Sequence, residues 1–574
     1  MFKYLKKYWC YCLLAPLFMV GEIMMDLLQP DMMAKIVDEG VLVQNMTVIL
    51  QIGIRMILLV LFGGCCGIMS GVFANLAAQK FGNDLRKDLF SKVMHLSFQQ
   101  TDRFSTGSLV TRLTNDVTQV QNMVMMSVRS AVRCSIMFLG GIWMLYLQSP
   151  QFALIAACGL PFVVFFVIFF MKKAAPLFAV VQQKLDGINH IMQEDIAGAR
   201  VVKAYVKEEH ELARFDAANE ELCGVNLRVQ SLLAFMQPCM NIVLNLCVTV
   251  MIYVGGMTVK SGGTLTPGNI MAAITYMAMI LHGIMFMANI FQTFTRAGAS
   301  WVRIREVLSC EPVIRDGAGA KTDGAKGEVE FQNVSFAYPD APEHAVLENV
   351  SVHIRGGETF AVIGATGSGK SSLISLIPRF YDVTEGAVLV DGVNVRDYRL
   401  DELRAKATVV FQKAELYSRP IEANIRWGKS DASPQEIKRA AQTARADDFI
   451  CESADGYYTQ VTEGGHSLSG GQKQRISIAR AVLGHAEIII FDDSTSALDL
   501  KTEAQLYEAL KKECPGSTKI IVAQRIASVK DADRIAVLDN GKIAACGTHE
   551  ELLQSSELYR DIYRSQQKEG RQSL

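Results

Sequence analysis

The chain has 574 residues, with 57 Lys plus Arg against 58 Asp plus Glu and a formal net charge of −1. That length exceeds one domain, and the balanced charge leaves no footprint for a nucleic-acid partner. Half of the residues are hydrophobic and the mean hydropathy is +0.20, and the 13 scattered cysteines contain no CxxC pair. The cysteine pattern argues against a zinc site or a disulfide framework.

The apolar excess lies in the first half. Apolar runs at 8–29, 56–79, 134–147, 152–171, 236–259 and 268–292 each approach the length of a membrane span, which needs about 20 apolar residues. The third and fourth are separated by the turn signal LQSPQ, and the fifth and sixth by Lys260 and SGGTLTPG. Lys3, Lys6 and Lys7 precede the first run, which leads into a full span rather than a cleavable signal. Basic residues crowd the long loops after spans two and four and are scarce in the other three loops. By the positive-inside rule, both chain ends and both long loops are expected in the cytoplasm.

The long loops carry helical periodicity, as in INHIMQEDIAGARVVKAYVKEEHELARF at 188–215. They read as cytoplasmic extensions of the spans, ending in short transverse helices near Thr111–Gln119 and Ala204–Glu211. Their plain role is to fill space; their sharper one is to dock onto the second half of the chain. Glu22, Asp26 and Arg55 fall near expected membrane ends, where snorkelling is the sober reading. His282 lies within the sixth span, where it can line a substrate path or bond a neighbouring helix.

DGAGAKTDGAKG at 316–327 reads as a flexible linker. The expected division is 1–312 membrane domain, 313–327 linker, 328–566 second domain and 567–574 polar tail. In the second domain, short apolar strands alternate with helical stretches, which argues a parallel α/β fold. Gly364, Ala365, Thr366, Gly367, Ser368, Gly369, Lys370, Ser371 and Ser372 have the phosphate-loop spacing, after the strand TFAVIG and before the helix SSLISLIPRF. Its N–H groups can cradle phosphates, Lys370 adds a point charge, and Ser371 a hydroxyl for magnesium.

Tyr338 stands upstream, where an aromatic ring can stack on a base. Gln412 ends a strand and can reach magnesium or an attacking water. Ser469, Gly470, Gly471 and Gln472 open a helix and offer a second phosphate site. Two such sites on one domain suit a nucleotide sandwiched between two domains. Asp492 ends the buried run Ile488–Phe491 and can hold magnesium, Asp493 stands where a general base would sit, and Gln524 follows a further strand.

With these motifs in this order, the chain resembles an ABC-transporter half-subunit of the exporter type. The resemblance covers nearly all of it, including STGSLVTRLTNDVTQV at 105–120. Tyr338 corresponds to the A-loop, Gly364–Ser372 to Walker A, Gln412 to the Q-loop and Leu468–Gln472 to the signature. Ile488–Asp493 corresponds to Walker B and Ser496–Asp499 to the D-loop. The implied fold is an all-α membrane domain of six helices with long cytoplasmic extensions, followed by an α/β P-loop ATPase domain. The implied ligands are ATP and Mg2+, at the cell membrane.

Two positions depart from the family, which has Glu where Asp493 stands and His where Gln524 stands. The departures resemble the degenerate-site subunit of heterodimeric multidrug or peptide exporters, whose partner half-transporter would carry the intact pair. The expected function is ATP-driven export of small amphipathic compounds or peptides. A homodimeric lipid flippase and an ATP-gated channel or regulatory subunit are the alternatives.

Overall fold

The computed structural model describes residues 1–262, 265–319, 326–465 and 467–572. Residues 320–325 of the expected linker, Gly263 and Thr264 of the expected turn, and the last two residues of the tail lie outside the described residues. Two units emerge: Met1–Met94 with Thr106–Cys310, and His95–Ser105 with Glu311–Leu574.

The first unit is helical. Helix α1 spans Trp9–Lys35 and widens into a π-helical stretch, Ile36–Val41. Helix α2 spans Met46–Met94. A short helix, α3, covers Phe98–Phe104 and belongs to the second unit. Helix α4 runs Thr106–Gln148, α5 covers Pro150–Ala197, and a short α6 covers Ala199–Ala204. Helix α7 runs Glu208–Lys260 and α8 Pro267–Ser309. Six of these helices are long and apolar enough to cross a membrane.

Helices α2, α4, α5 and α7, of 43 to 53 residues, reach about 65–80 Å, roughly twice a bilayer's hydrocarbon core of ~30 Å. The apolar runs are thus only parts of longer helices, which continue through residues 80–94, 106–133, 172–197 and 208–234, the last joined to its apolar part through a turn at Phe235. Small residues let α1 and α2 approach closely. A Cβ on Gly67 would sit 2.8 Å from Glu22 Oε2 and one on Gly63 3.2 Å from Met25, while Ser70 Oγ donates to the Ala15 carbonyl.

The short helices fall elsewhere than the sequence suggests. Thr111–Gln119 lies inside α4, where the helix widens at Arg112–Asp116. The break comes earlier: Ser97 and Gln100 form a capping box that starts α3, and Ser105 at φ 49° ends it. The second short helix is likewise upstream of Ala204–Glu211. It begins after Gly198 and stops before Tyr205–Lys207, where Val206 has φ 51°.

Glu22 and Asp26 do not snorkel. They face Arg133 of α4 at 3.1 and 3.6 Å, a between-helix ion pair that a one-dimensional charge pattern cannot reveal. Arg55 is exposed. Farther along α4, Asp116 is fully buried and accepts from Ser300 Oγ at 2.8 Å and Arg303 Nε at 2.8 Å on α8.

The second unit is built on two sheets. Strands β1 (Val329–Ala337), β2 (Ala345–Ile354), β4 (Glu385–Val390) and β5 (Val393–Asn394) form an antiparallel sheet in the order β2-β1-β4-β5. The other sheet runs β10-β9-β3-β8-β7-β6, from β3 (Thr359–Ile363), β6 (Ala407–Val410), β7 (Ile488–Asp492), β8 (Thr518–Val522), β9 (Arg534–Asp539) and β10 (Lys542–Gly547). All its pairings are parallel except β9 with β10. Burial on both faces explains the apolar run Ile488–Phe491 of β7 and the apolar end Ile520–Val522 of the fully buried β8. The C-terminal helix, Glu557–Gln572, takes in the polar tail as far as Gln572.

Candidate functional site: a nucleotide pocket at the strand ends

Four parallel strands, β3, β6, β7 and β8, deliver their C-terminal ends to one place, the crevice where open α/β sheets bind ligands. From β3 the chain enters the loop Gly364–Gly369 and helix α9, Lys370–Ser375. Gly369 has φ 100°, and a Cβ there would meet the Val346 carbonyl at 2.9 Å. The tight turn therefore requires glycine.

Lys370 is buried, and its Nζ donates to the Gly364 and Ala365 carbonyls at 2.8 and 2.7 Å. Ser371 Oγ donates to Asp492 Oδ1 at 2.9 Å. Gln412 Nε2 and Gln524 Nε2 both donate to Asp493 Oδ2, at 3.1 and 3.0 Å. The Tyr338 hydroxyl lies 2.9 Å from Ser372 Oγ. Tyr338, Lys370, Ser371, Gln412, Asp493 and Gln524 all line one cavity of about 360 Å³. Gly364, Ala365 and Thr366 line an adjoining one with Gln524.

Electrostatics reflect crowding of two carboxylates and one amine. Burial pushes both Asp492 and Asp493 above the usual carboxylate range. The Ser371 hydrogen bond opposes this for Asp492, and Lys370 with the two glutamine amides opposes it for Asp493. Burial lowers Lys370, against the pull of both aspartates.

The pocket fits a nucleotide triphosphate with a hard divalent cation. Ser368 Oγ is buried with no hydrogen-bond partner among the described residues, and Lys370 is tied only to carbonyls that incoming phosphate oxygens can replace. Among the described residues no three His, Cys, Asp or Glu side chains cluster to hold a metal. A cation here would rely on Ser371, Asp492, Gln412 and the phosphates themselves, an oxygen set suited to Mg2+.

Ser469, Gly470, Gly471 and Gln472 do not join this cavity. They open the helix Gly470–Leu483, where Ser469 and Gln472 form a capping box. Sequence reasoning passed over Gln566. From the C-terminal helix its Nε2 donates to the Gln524 carbonyl at 2.7 Å, and its Oε1 accepts from Ile526 N at 2.9 Å. Nothing in the polar sequence around Gln566 signals this. Helix α3 also packs within the second unit: Phe98 stacks on Phe380 at 4.2 Å, Phe380 on Phe411 at 6.0 Å, and Phe411 precedes Gln412. Gln100 Nε2 further donates to the Glu311 carbonyl at 2.6 Å.

Residues 12–285 match the ABC transporter transmembrane region and residues 347–496 the ABC transporter family. The uncharacterised ABC transporter ATP-binding protein YfiB of Bacillus subtilis is 39% identical over 98% of this chain and 98% of its own length. The chain belongs to the ABC transporter family. An ATP-dependent lipid A-core flippase of Syntrophus aciditrophicus is 34% identical over 93% of this chain and 88% of its own. In fold, the structure of a bacterial Atm1-family ABC exporter with ATP bound superposes with a TM-score of 0.80 at 24% identity, covering 96% of this chain and 98% of that one. This chain is accordingly an exporter-type ABC half-transporter and an ATP-hydrolysing translocase, a multi-pass membrane protein that works as a dimer.

Proposed function

We propose that this chain is the weakly hydrolysing half of a heterodimeric exporter that moves small amphipathic compounds or peptides across the cell membrane, with both termini and the ATPase unit in the cytoplasm. The observation that carries the reading is the arrangement around Asp493. A general base must stand within hydrogen-bond reach of the attacking water with a lone pair free. Asp493 is one methylene shorter than glutamate, and one of its oxygens already accepts from Gln412 and Gln524. Gln524 can hydrogen-bond a γ-phosphate but carries no proton to and fro.

In this reading Tyr338 stacks on the adenine ring, and Gly364–Ser372 with Lys370 hold the phosphates. Ser371, Gln412 and Asp492 hold Mg2+, which neutralises phosphate charge. Ser469, Gly470, Gly471 and Gln472 serve the partner's nucleotide. Their separation from this chain's own pocket supports that division of labour. The stack Phe98–Phe380–Phe411 beside Gln412 supports a mechanical role for α3, because a change at the nucleotide pocket has a packed aromatic route to it.

Co-expression with a second half-transporter carrying Glu and His at these two positions tests the pairing. The expected result is a stable pair that hydrolyses ATP and transports, with turnover abolished by mutating the partner's Glu. A lone chain that assembles with itself and transports would overturn it.

A further inference from the structure

The first unit holds a cavity of about 520 Å³ among α2, α4 and α8, lined by Met125, Met126, Met137 and Phe286 together with Arg129, Arg133 and His282. The two arginines differ. Arg133 is matched by Glu22 and Asp26, neither of which lines the cavity. Arg129 makes no ion pair among the described residues. Gly71 gives it room, since a Cβ there would lie 3.3 Å from its Nη1. His282 is committed to its own helix through Nδ1, 2.9 Å from the Ala278 carbonyl. The carbonyl can only accept, so Nδ1 carries the proton and Nε2 stays open to a ligand.

Depth matters as much as charge. Arg129 precedes the end of α4 at Gln148 by a rise of about 28 Å, and His282 follows the start of α8 at Pro267 by about 23 Å. Against a hydrocarbon layer of ~30 Å, Arg129 stands near its far edge and His282 inside it. Arg129 is thus placed where a charged head can reach it, and no carboxylate of the described residues neutralises it. The walls beside it are flexible thioethers and an aromatic ring, which accommodate varied apolar bodies.

We propose that this cavity recognises amphiphiles by an anionic head, phosphate or carboxylate, with Arg129 as its charge partner and the Met and Phe side chains receiving the apolar body. The assignment rests on the export reading above and names the class of its substrate.

The test uses the full chain in phosphatidylcholine nanodiscs, titrated with fluorescent dodecyl phosphate and with dodecyltrimethylammonium bearing the same label. The wild type should bind the phosphate at least about tenfold more tightly. Arg129→Gln should erase that gap and Arg129→Lys should keep most of it, with binding of a fluorescent ATP analogue unchanged in both. Equal affinity for the two probes, or a preference for the cation, would overturn the proposal even if no variant folds. So would an undiminished gap in Arg129→Gln. Repeating the titration with phosphatidylglycerol in the disc identifies the source of the head. Competition supports a lipid headgroup at the site, and its absence supports a free amphiphile. Free ATP turnover by the lone chain would sink the weak-hydrolysis reading and leave this one standing.

Discussion

In the second unit every residue of β8 and the first four of β7 are buried, whereas each candidate span of the first unit keeps only 17–39% of its apolar window inside the protein. Leu58, Phe62, Trp143 and Phe165 are each about 60% exposed, as helices require when lipid rather than protein surrounds them. The two units therefore hold their chemistry differently. The ATPase unit hangs its functional groups from the ends of a rigid, doubly covered sheet. The membrane unit has a smaller core between its helices, around Met19, Ile23, Phe152, Tyr276 and Met277, and adds polar contacts between helices, Asp116 with Ser300 and Arg303 and Glu22 with Arg133.

That contrast can be pressed at each end. Lys370→Ala should have the largest effect, lowering affinity for a fluorescent ATP analogue about a hundredfold, because a charge-assisted bond to phosphate contributes ~1.5–3 kcal/mol. The sheet should survive, since the Lys370 amine hydrogen-bonds only carbonyls of its own loop, and unchanged thermal unfolding of the nucleotide-free chain would show it. Asp116→Asn should do the reverse. Asp116 is buried while Arg303 is half exposed, so weakening their charge-assisted bonds should cost about 1–3 kcal/mol, and the thermal midpoint in detergent should fall by a few degrees with nucleotide affinity intact. Equal midpoints would mean that the membrane unit does not depend on its polar contacts.

A smaller effect should come from pH. Burial raises Asp492 and Asp493 above their unfolded values. Their contribution to stability is therefore present in acid and lost as pH rises through the raised folded values. Asp493→Asn should raise the nucleotide-free midpoint by about 2–4 °C near neutral pH, and by less as the carboxylate range is approached. A gap that widened in acid would contradict this.

How much was legible follows the same division. Phosphate-loop spacing is a local property, so Gly364–Ser372, Asp492 and Gln524 could be read from sequence, and the structure gathers them at neighbouring strand ends. Membrane helices were legible as apolar runs but not in length, since their extensions are amphipathic and continuous. The short helices were misjudged because Ser97, Ser105 and Val206 set their ends by backbone geometry, not by periodicity. Glu22, Asp26 and Arg133 meet across two helices more than 100 residues apart in sequence, and Gln566 reaches Gln524 from the C-terminal helix, whose sequence there reads only as polar. Contacts of that kind are set by tertiary packing alone.

ATP turnover by the purified chain alone, with nucleotide binding verified on the same sample, tests the central claim most directly when wild type is set beside Asp493→Glu with Gln524→His. The account predicts binding with very low turnover in the wild type, and a rise of about tenfold to a hundredfold in the double variant. Brisk wild-type turnover that Lys370→Ala abolishes and the double variant fails to improve would contradict it.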